Sequence, residues 1–235
     1  MPQNVFVGRA AEFYDTSAAA EFDPAAIAAT VDFLVEQSRG GPALELAIGT
    51  GRIGLPLSQR GVAVHGIEIS DDMVAQLRAK PGADAIGITV GDMATARVDG
   101  TFSLAYLVYN TIENLLDQDE QVACFQNVAR HLAAGGRFVI EVEVPQLQRL
   151  PPGEIARPFE VTERHLGFDT FDLATQRLTS HHYWISGDRV TTFQSHHRYV
   201  WPSELDLMAR IAGLRLCERW ADWDRSPFTS ESRKH

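Results

Sequence analysis

The spacing of apolar residues divides the first 150 positions into alternating helical and extended segments. Apolar residues recur every three or four positions from Ile27 to Val35, directly after Asp23-Pro24, which is typical of a capped helix. Strands that alternate with helices predict parallel βαβ units, in which helices cover both faces of one sheet. The predicted strands are 43–47, 62–68, 85–90, 101–109 and 137–144, and the longest predicted helix is 118–134.

The pattern changes after the fifth predicted strand. Three β-rich runs follow at 168–173, 177–185 and 189–201, with turn sequences between them, and they predict an inserted antiparallel meander. A helix at 203–212 and a strand at 214–220 then resume the α/β pattern. The predicted fold class is therefore α/β, a Rossmann-like doubly wound, mostly parallel sheet flanked by helices, with an antiparallel β meander inserted after strand five.

This pattern divides the chain into three expected parts. They are an α/β core with an N-terminal helical segment at 1–150, an inserted β-rich region at 151–201, and a C-terminal helix and strand that return to the core at 202–235.

Composition and charge narrow the classes of partner. The formal net charge is −10 and no Lys/Arg cluster is present, so nucleic acid is not an expected partner. Cys124 and Cys217 form no disulfide framework, which fits a reducing cytoplasm. The sequence contains neither a signal peptide pattern nor an apolar run of about 18 residues. We expect a cytoplasmic protein with no membrane partner, and no feature predicts an oligomeric state.

A glycine-rich turn follows the first predicted strand. Gly49, Gly51 and Gly54 form the pattern G-x-G-x-x-G where that strand passes into a helix, which is the usual binding place of a nucleotide-like ligand in an open α/β sheet. A carboxylate at Glu45 would point towards the ligand and repel a pyrophosphate. It would suit a cationic ligand instead, such as an amino-acid ammonium group.

The segment 45–52, with the sequence ELAIGTGR, resembles motif I of the class I S-adenosylmethionine-dependent methyltransferases. The resemblance implies that S-adenosyl-L-methionine is the cofactor, that Glu45 lies near its methionine end, and that the glycines let the backbone approach it closely. Ala47 stands where many members carry glycine, and we expect a tighter turn there. The usual sheet of this family has one further antiparallel strand, which is either short and irregular here or lies outside this sequence.

The ends of the next two predicted strands carry further cofactor candidates. Glu68 provides two acceptor oxygens for both ribose hydroxyls of an adenosine, although a nicotinamide-dependent dehydrogenase would use such a residue in the same way. The resemblance implies that Met73 packs by the adenine, that Asp92 accepts from its amino group, and that the backbone of Met93 meets a ring nitrogen. A dehydrogenase does not need the adenine-reading acid, so Asp92 favours the methyltransferase interpretation.

Two aromatic segments complete the expected site. The end of the fourth strand, including Tyr109 and Asn110, corresponds to motif IV of the family, and Asn110 is expected nearest the reacting methyl unless it only caps the following helix. Tyr14 resembles an N-terminal tyrosine that closes over the cofactor, and its alternative is packing on the sheet edge. The expected cofactor-binding residues are Tyr14, Glu45, Ala47, Gly49, Thr50, Gly51, Glu68, Ile69, Met73, Asp92, Met93, Tyr109 and Asn110.

Two histidine pairs occur in the meander, His181-His182 and His196-His197. With a turn at 186–188, the numbers of residues that face each other across the hairpin sum to about 374 or 375. The two histidine pairs are therefore offset by four positions along the strands. At about 3.3 Å per residue this is roughly 13 Å, too far for a shared metal ion, and we expect no metal site. A histidine suits a general base, and His182 is the candidate, the alternative being a polar residue on a half-exposed sheet. Replacing it by alanine would then lower turnover by about 10²–10⁴.

These observations predict an S-adenosylmethionine-dependent methyltransferase that acts on a small-molecule acceptor at oxygen or nitrogen, in natural-product or sugar metabolism. In small-molecule members of the family, an insertion after strand five forms a lid over the acceptor, which is the expected role of 151–201. Two alternatives remain open at this point. One is a nicotinamide-dependent oxidoreductase, and the other is a methyltransferase-like fold without transfer activity.

Overall fold

The computed structural model describes residues 6–17 and 22–235. Its helices are α1 (Arg9–Glu12), α2 (Tyr14–Ser17), α3 (Pro24–Ser38), α4 (Gly54–Gln59), α5 (Asp71–Arg78), α6 (Gln118–His131) and α7 (Pro202–Ile211). Short 3-10 turns lie at Ala83–Ala85, Thr111–Asn114 and Leu147–Arg149. In this part of the chain, none of the helices combines the length and the apolar character needed to cross a membrane.

The core is a five-stranded sheet in which all neighbouring strands are parallel. Its strands are β1 (Ala43–Leu46), β2 (Val64–Glu68), β3 (Gly87–Val90), β4 (Phe102–Leu107) and β5 (Leu132–Ile140), in the order β3-β2-β1-β4-β5. The order reverses at β1, so the crevice at the carboxyl ends of β1 and β4 is the topological switch point of the sheet. Each face of the sheet carries its own buried apolar cluster, which confirms the predicted fold class.

Helix ends follow the signals in the sequence. The Asp23 carboxylate accepts a hydrogen bond from the Ala25 N–H at the start of α3, and the Ser70 hydroxyl accepts from the Met73 N–H at the start of α5. Asp117 and Glu120 form a capping box on α6. These caps fix where each helix leaves the carboxyl edge of the sheet.

The fifth strand begins earlier than predicted, directly after α6. Its regular pairing with β4 starts only at Arg137, because the register shifts between Phe102 and Leu104 of β4. Beyond β5, Val142 exchanges two backbone hydrogen bonds of 2.9 Å with His235, and Val144 donates to Arg233. The further antiparallel strand of the family is therefore represented here by a short pairing at 233–235.

The insertion forms a separate antiparallel sheet of four strands. They are β6 (Ala156–Val161), β7 (His165–Asp172), β8 (Arg177–Ser186) and β9 (Arg189–Arg198), paired in chain order. His182 pairs with Phe193, so the numbers of paired residues sum to 375 and the predicted hairpin register is confirmed. Strand β6 is an edge strand with a bulge after Pro158, and the sequence does not predict it because proline and charged residues interrupt its pattern.

The predicted strand at 214–220 is wrong. Gly213, with a φ of 79°, ends the helical region after α7, and the following residues are irregular up to Trp220, which forms an isolated bridge with Pro227. The alternating pattern fits a strand, but the chain beyond β5 already pairs with residues 233–235. Segment 214–219 therefore has no ladder partner.

Candidate active site

A cleft lies at the carboxyl ends of β1 to β4, at the switch point of the sheet. It contains about 870 Å³ of empty space, part of it open to solvent. Its lining is mainly apolar with a few polar groups. The lining residues are Phe6, Tyr14, Ala47, Gly49, Ile67, Glu68, Ile69, Met73, Gly91, Asp92, Met93, Thr111, Asn114, Leu115, Leu116 and His196.

The glycine-rich turn borders this cleft in a left-handed conformation. Ala47, Gly49 and Gly51 have φ angles of 51°, 57° and 82°. Glycine adopts this conformation without a steric penalty, whereas an alanine in it costs about 1–2 kcal/mol. Ala47 therefore keeps the turn geometry at an energetic cost, which explains why glycine suits this position. Ala47 and Gly49 line the cleft, whereas Gly51 lies on the other side of the turn.

Glu68 connects the first two strand ends. One carboxylate oxygen accepts from the Gly49 N–H at 2.8 Å and the other accepts from the Ser70 N–H at 2.9 Å. Burial raises the pKa of Glu68, and these backbone hydrogen bonds oppose the rise. Since an ionised carboxylate has about four acceptor positions, both oxygens can still accept hydrogen bonds from a ligand.

Glu45 does not line the cleft, and its place near the methionine end of the cofactor stays a prediction. Its side chain is 3% exposed and accepts from the Tyr106 hydroxyl at 2.9 Å. The Gly54 N–H donates to it as well, and burial raises its pKa to about 8. Glu45 is therefore enclosed beneath the glycine turn, where it supports the start of α4. The Glu45 side chain leaves β1 on the face of the sheet that α4 covers.

The ends of β2 and β3 bring the expected polar and apolar groups together. Asp92 lines the cleft, and its Oδ1 accepts from the Ala94 N–H at 2.8 Å, which forms a tight turn after β3. Ile69, Met73 and Met93 line the same cleft, and Met73 is held by the Ser70 cap. The Gly91 N–H donates to the Glu68 carbonyl at 2.8 Å, so the two strand ends form one continuous wall.

The turn after β4 is strained, and its side chains differ from expectation. Tyr109 and Asn110 have φ angles of 59° and 56°, and neither lines the cleft. The Asn110 carboxamide oxygen accepts from the Glu143 N–H at 2.6 Å, so it joins the turn to the chain after β5. Thr111 and Asn114, which no sequence motif indicates, line the cleft instead. Their position depends on the left-handed turn, which has no clear sequence signal without glycine.

The N-terminal segment covers one side of the cleft. Phe6 and Tyr14 line it, and their rings meet edge to face with centroids 5.6 Å apart. Next to Tyr14, the Asp15 carboxylate accepts from the Thr50 hydroxyl at 2.6 Å and pairs with the Lys80 ammonium at 2.5 Å. Thr50 does not line the cleft. It holds the N-terminal segment against the glycine turn.

The meander contributes a histidine to the cleft, but not the predicted one. His182 stacks on Trp184 and lies 3.0 Å from a ring nitrogen of His165, outside the cleft lining. Burial and the neighbouring His165 lower its pKa. His196 lines the cleft instead, with its Nδ1 3.0 Å from the Thr179 hydroxyl. Because the two histidines lie on different strands and opposite faces, the sequence alternation alone could not show which face meets the core.

Comparison with known proteins matches residues 43–136 to the model of a methyltransferase domain family. The CcbJ methyltransferase from Streptomyces caelestis has a similar structure, with a TM-score of 0.81 and 35% identity over 90% of this chain and 87% of that chain. The chain belongs to the class I S-adenosylmethionine-dependent methyltransferases. Its cofactor is accordingly S-adenosylmethionine.

Two further comparisons extend beyond the core domain of this methyltransferase. The cypemycin N-terminal methyltransferase of a Streptomyces species is 26% identical over 198 residues, which cover 83% of this chain and 81% of that protein. The SAM-bound amino pentose methyltransferase CalS10 from Micromonospora echinaspora has the same fold, with 19% identity and a TM-score of 0.73 over 99% and 97% of the two chains. The match therefore includes the inserted sheet. The oxidoreductase alternative and the inactive-fold alternative are set aside.

Proposed function

We propose that this methyltransferase acts on a small-molecule acceptor, at nitrogen or oxygen, in natural-product or sugar metabolism. The observation that carries the proposal is the convergence of Glu68, Asp92 and His196 on one cleft. The first two come from the core, and His196 comes from the inserted sheet. A cleft that combines core and insertion gives one wall to the cofactor and another to a small acceptor. The name of the cypemycin N-terminal methyltransferase supports a nitrogen acceptor.

The cleft residues suit the parts of S-adenosylmethionine. Glu68 would hold the ribose hydroxyls with its remaining acceptor positions, and Asp92 would accept from the adenine amino group. Met73 and Met93 would pack on the base, and Tyr14 would cover it. Ala47 and Gly49 leave room for the backbone of the turn to approach the methionine part. Glu45 and Thr50 would act indirectly, by supporting the turn.

When bound, S-adenosylmethionine supplies an electrophilic methyl group on a sulfonium, which has a neutral thioether as its leaving group. The protein then has to position the acceptor and exclude water, and these effects can supply much of the rate. Thr111, Asn114 and His196 provide the polar groups that could orient an acceptor. We propose that the four-stranded sheet is the acceptor lid, and that Tyr109 and Asn110 shape its border through the turn that they form.

The proposal is tested by calorimetry and by transfer assays. Titration should show binding of S-adenosylmethionine and S-adenosylhomocysteine and no binding of NAD. Labelled methyl transfer should then be measured to a panel of phenols, alcohols, amines and amino sugars. Transfer to at least one member of this panel supports the proposal, and binding of NAD alone would contradict it.

The same assay separates the two histidines. His182→Ala should lower turnover by about 10²–10⁴ if His182 is the general base expected from the sequence. If the general base is instead the histidine that lines the cleft, His196→Ala should lower the turnover. Cofactor affinity should change little in the His182 variant, because that residue lies outside the cleft.

A further inference from the structure

One ionisable side chain in the lining of the cleft comes from the inserted sheet. His196 lies on β9, whereas the lining carboxylates Glu68 and Asp92 come from the ends of core strands. Both carboxylates accept hydrogen bonds from backbone N–H groups, and the proposed function assigns both of them to the cofactor. Within the described residues, His196 is the only cleft-lining imidazole, so it is the group that suits proton exchange with an acceptor near neutral pH.

Hydrogen bonds place His196 beside the turn that follows β4. Two positions further along β9, the Arg198 carbonyl accepts from the Gln121 carboxamide nitrogen at 3.1 Å. The same nitrogen donates at 3.2 Å to each of two carbonyls at the turn after β4. That turn contributes Thr111 and Asn114 to the cleft. His196 therefore borders the cleft where the inserted sheet meets the core.

The neighbouring strand holds the ring of His196. Thr179 of β8 is its direct cross-strand partner, and the Thr179 hydroxyl lies 3.0 Å from His196 Nδ1. Directly opposed residues of an antiparallel pair keep their side chains close together on one face, so the ladder itself maintains this contact. His196 Nε2 makes no hydrogen bond with the described residues, and this nitrogen remains for a ligand.

The contact with Thr179 determines what the other ring nitrogen can do. If His196 Nδ1 carries the proton and donates it to the Thr179 oxygen, Nε2 presents a lone pair that can take up a proton. The protonated ring also has an N–H at Nδ1, so the same hydrogen bond persists after proton uptake. In the opposite tautomer Nε2 is a donor and the ring offers no base to a ligand. A hydroxyl that accepts from Nδ1 therefore orients the imidazole as a base.

We propose that His196 is the catalytic base of methyl transfer, and that Thr179 is a positioning residue that keeps the proton of the neutral ring on Nδ1. The class of acceptor follows from this assignment. It is a nucleophile that enters the cleft with a proton on its attacking atom, either a hydroxyl group or a protonated amine. The inference rests on the proposed function and adds the base, its positioning residue and the protonation state of the acceptor.

Protons and electrons balance in the same way for both kinds of acceptor. The O–H or N–H bond of the acceptor breaks, its proton passes to His196 Nε2, and the electron pair stays on oxygen or nitrogen. That electron pair forms the bond to the methyl carbon, while the carbon–sulfur bond breaks and its electron pair stays on sulfur. The products are a methyl ether or an N-methylammonium ion, S-adenosylhomocysteine, and an imidazolium that releases its proton to solvent.

The first test compares acceptors that differ in protonation at one neutral pH. Benzylamine is compared with aniline, which is not protonated, and phenol is compared with para-nitrophenol, which ionises readily. His196→Ala should lower kcat at least about 100-fold for benzylamine and phenol, because each of them needs a base. The loss should stay below about tenfold for aniline and para-nitrophenol. An equal loss for all four acceptors would overturn the inference, since a merely structural role does not depend on the acceptor proton.

The second test isolates Thr179. Thr179→Val keeps the shape of the side chain without its hydroxyl, and it should lower kcat for phenol about tenfold with an unchanged KM. Thr179→Ser should restore wild-type turnover. The matched control is Thr192→Val, at an exposed residue on the same face of the sheet. Affinity for S-adenosylhomocysteine should stay unchanged, because neither threonine lines the cleft. A loss that serine does not restore, or that the control shares, would overturn the role of Thr179.

Nuclear magnetic resonance of protein with isotope-labelled histidine gives a readout that needs neither activity nor a bound cofactor. The signals of His196 are assigned by their loss in His196→Ala. In wild-type protein the neutral His196 ring should carry its proton on Nδ1. Thr179→Val should move the proton towards Nε2, whereas Thr179→Ser and Thr192→Val should not. A wild-type ring with its proton on Nε2 would overturn the inference.

Two outcomes separate this inference from the proposed function. If S-adenosylhomocysteine binds and His196→Ala methylates phenol and benzylamine at the wild-type rate, the base is wrong while the proposed function stands. If S-adenosylhomocysteine does not bind and no acceptor is methylated, the proposed function itself fails.

Discussion

Glu68 stabilises two backbone segments that border the cleft, one through each of its carboxylate oxygens. It orders the glycine turn by accepting from Gly49, and it orders the start of α5 by accepting from Ser70. The same oxygens retain acceptor positions for a ligand. One residue therefore sets the backbone geometry and offers the polar contact.

Replacing Glu68 by alanine should weaken binding of S-adenosylhomocysteine by about 1–3 kcal/mol, because ribose hydroxyls would be left unpaired in the cleft. Calorimetry measures the change. The control Glu68→Gln keeps one acceptor oxygen and should give an intermediate loss, and denaturant unfolding shows whether the turn survives. Unchanged affinity in the alanine variant would contradict the assigned role.

Three of the six non-glycine residues with a positive φ in the described part of the chain lie beside the cleft or at its turn. Ala47, Tyr109 and Asn110 are non-glycine residues in the left-handed region, each at a strand end that borders the cleft or its turn. Such residues persist only where the surrounding structure holds them, as the hydrogen bond between Asn110 and Glu143 does here.

At the scale of elements, polar contacts tie the N-terminal segment, residues 6–17, to the core at two places. Near its start, the Gly8 N–H donates to the Asp72 carboxylate and the Ser70 hydroxyl donates to the Phe6 carbonyl. Asp15 joins the Thr50 hydroxyl and the Lys80 ammonium, which also donates to the Thr50 carbonyl at 2.8 Å. The Asp15 junction lies next to Tyr14, which lines the cleft, so we expect its loss to loosen the cover over a bound ligand.

The variant Asp15→Ala should therefore bind S-adenosylhomocysteine about threefold to tenfold more weakly, since part of the binding energy would be needed to order the segment. Calorimetry at constant ionic strength checks this. Asp32→Ala is the matched control, because Asp32 forms an exposed ion pair with Arg60 away from the cleft. Equal affinities of the two variants would show that the junction does not close the segment.

The inserted sheet is joined to the core by Gln121 of α6. Its carboxamide nitrogen donates to the carbonyls of Ile112, Leu115 and Arg198 at 3.1–3.2 Å, and its oxygen accepts from the Arg198 guanidinium at 2.5 Å. Gln121 is fully buried. It connects the turn after β4 with the end of β9, and so holds the two parts of the proposed acceptor site together.

Replacing Gln121 by alanine leaves these buried groups without partners and should lower the free energy of unfolding by about 2–4 kcal/mol. Urea denaturation measures the loss. The control Gln126→Ala lies on the same helix without a side-chain hydrogen bond to the described residues and should change stability by less than about 0.5 kcal/mol. Similar losses in both variants would contradict the role of Gln121 as the joint.

For the whole molecule, buried carboxyls should make stability depend on pH. The pKa values of Glu45 and Glu113 are raised to about 8 in the folded protein, from an ordinary value of 4.5. The folded state therefore holds protons that the unfolded state releases, and stability falls as pH rises towards 8. His197 and His235, whose pKa values are lowered to about 4, act in the opposite direction, but only below about pH 6.5.

The free energy of unfolding should decrease between about pH 6.5 and 8, with each carboxyl contributing a slope of up to about 1.4 kcal/mol per pH unit. Urea denaturation at several pH values measures the slope. Glu113→Gln should make it shallower, and the exposed control Glu163→Gln should leave it unchanged. A slope that is identical in all three proteins would mean that Glu113 is ionised in the folded state.

The sequence by itself determined the parallel core, the place of the cleft and several of its lining residues. Alternating strands and helices specify the sheet, and the carboxyl ends of parallel strands share one edge whatever the rest of the chain does. Glu68, Asp92 and Met93 could therefore be found from their position at strand ends. The hairpin register followed from its turn, because paired positions in an antiparallel ladder have a constant sum.

Only the tertiary structure decided which face each polar side chain occupies and which distant segments meet. It enclosed Glu45 beneath α4, turned Asn110 towards Glu143, brought His196 to the cleft in place of His182, and left 214–219 without a strand partner. Periodicity records the local conformation of a segment, whereas these contacts join residues that are far apart in the chain, and their geometry depends on how the core and the inserted sheet pack together.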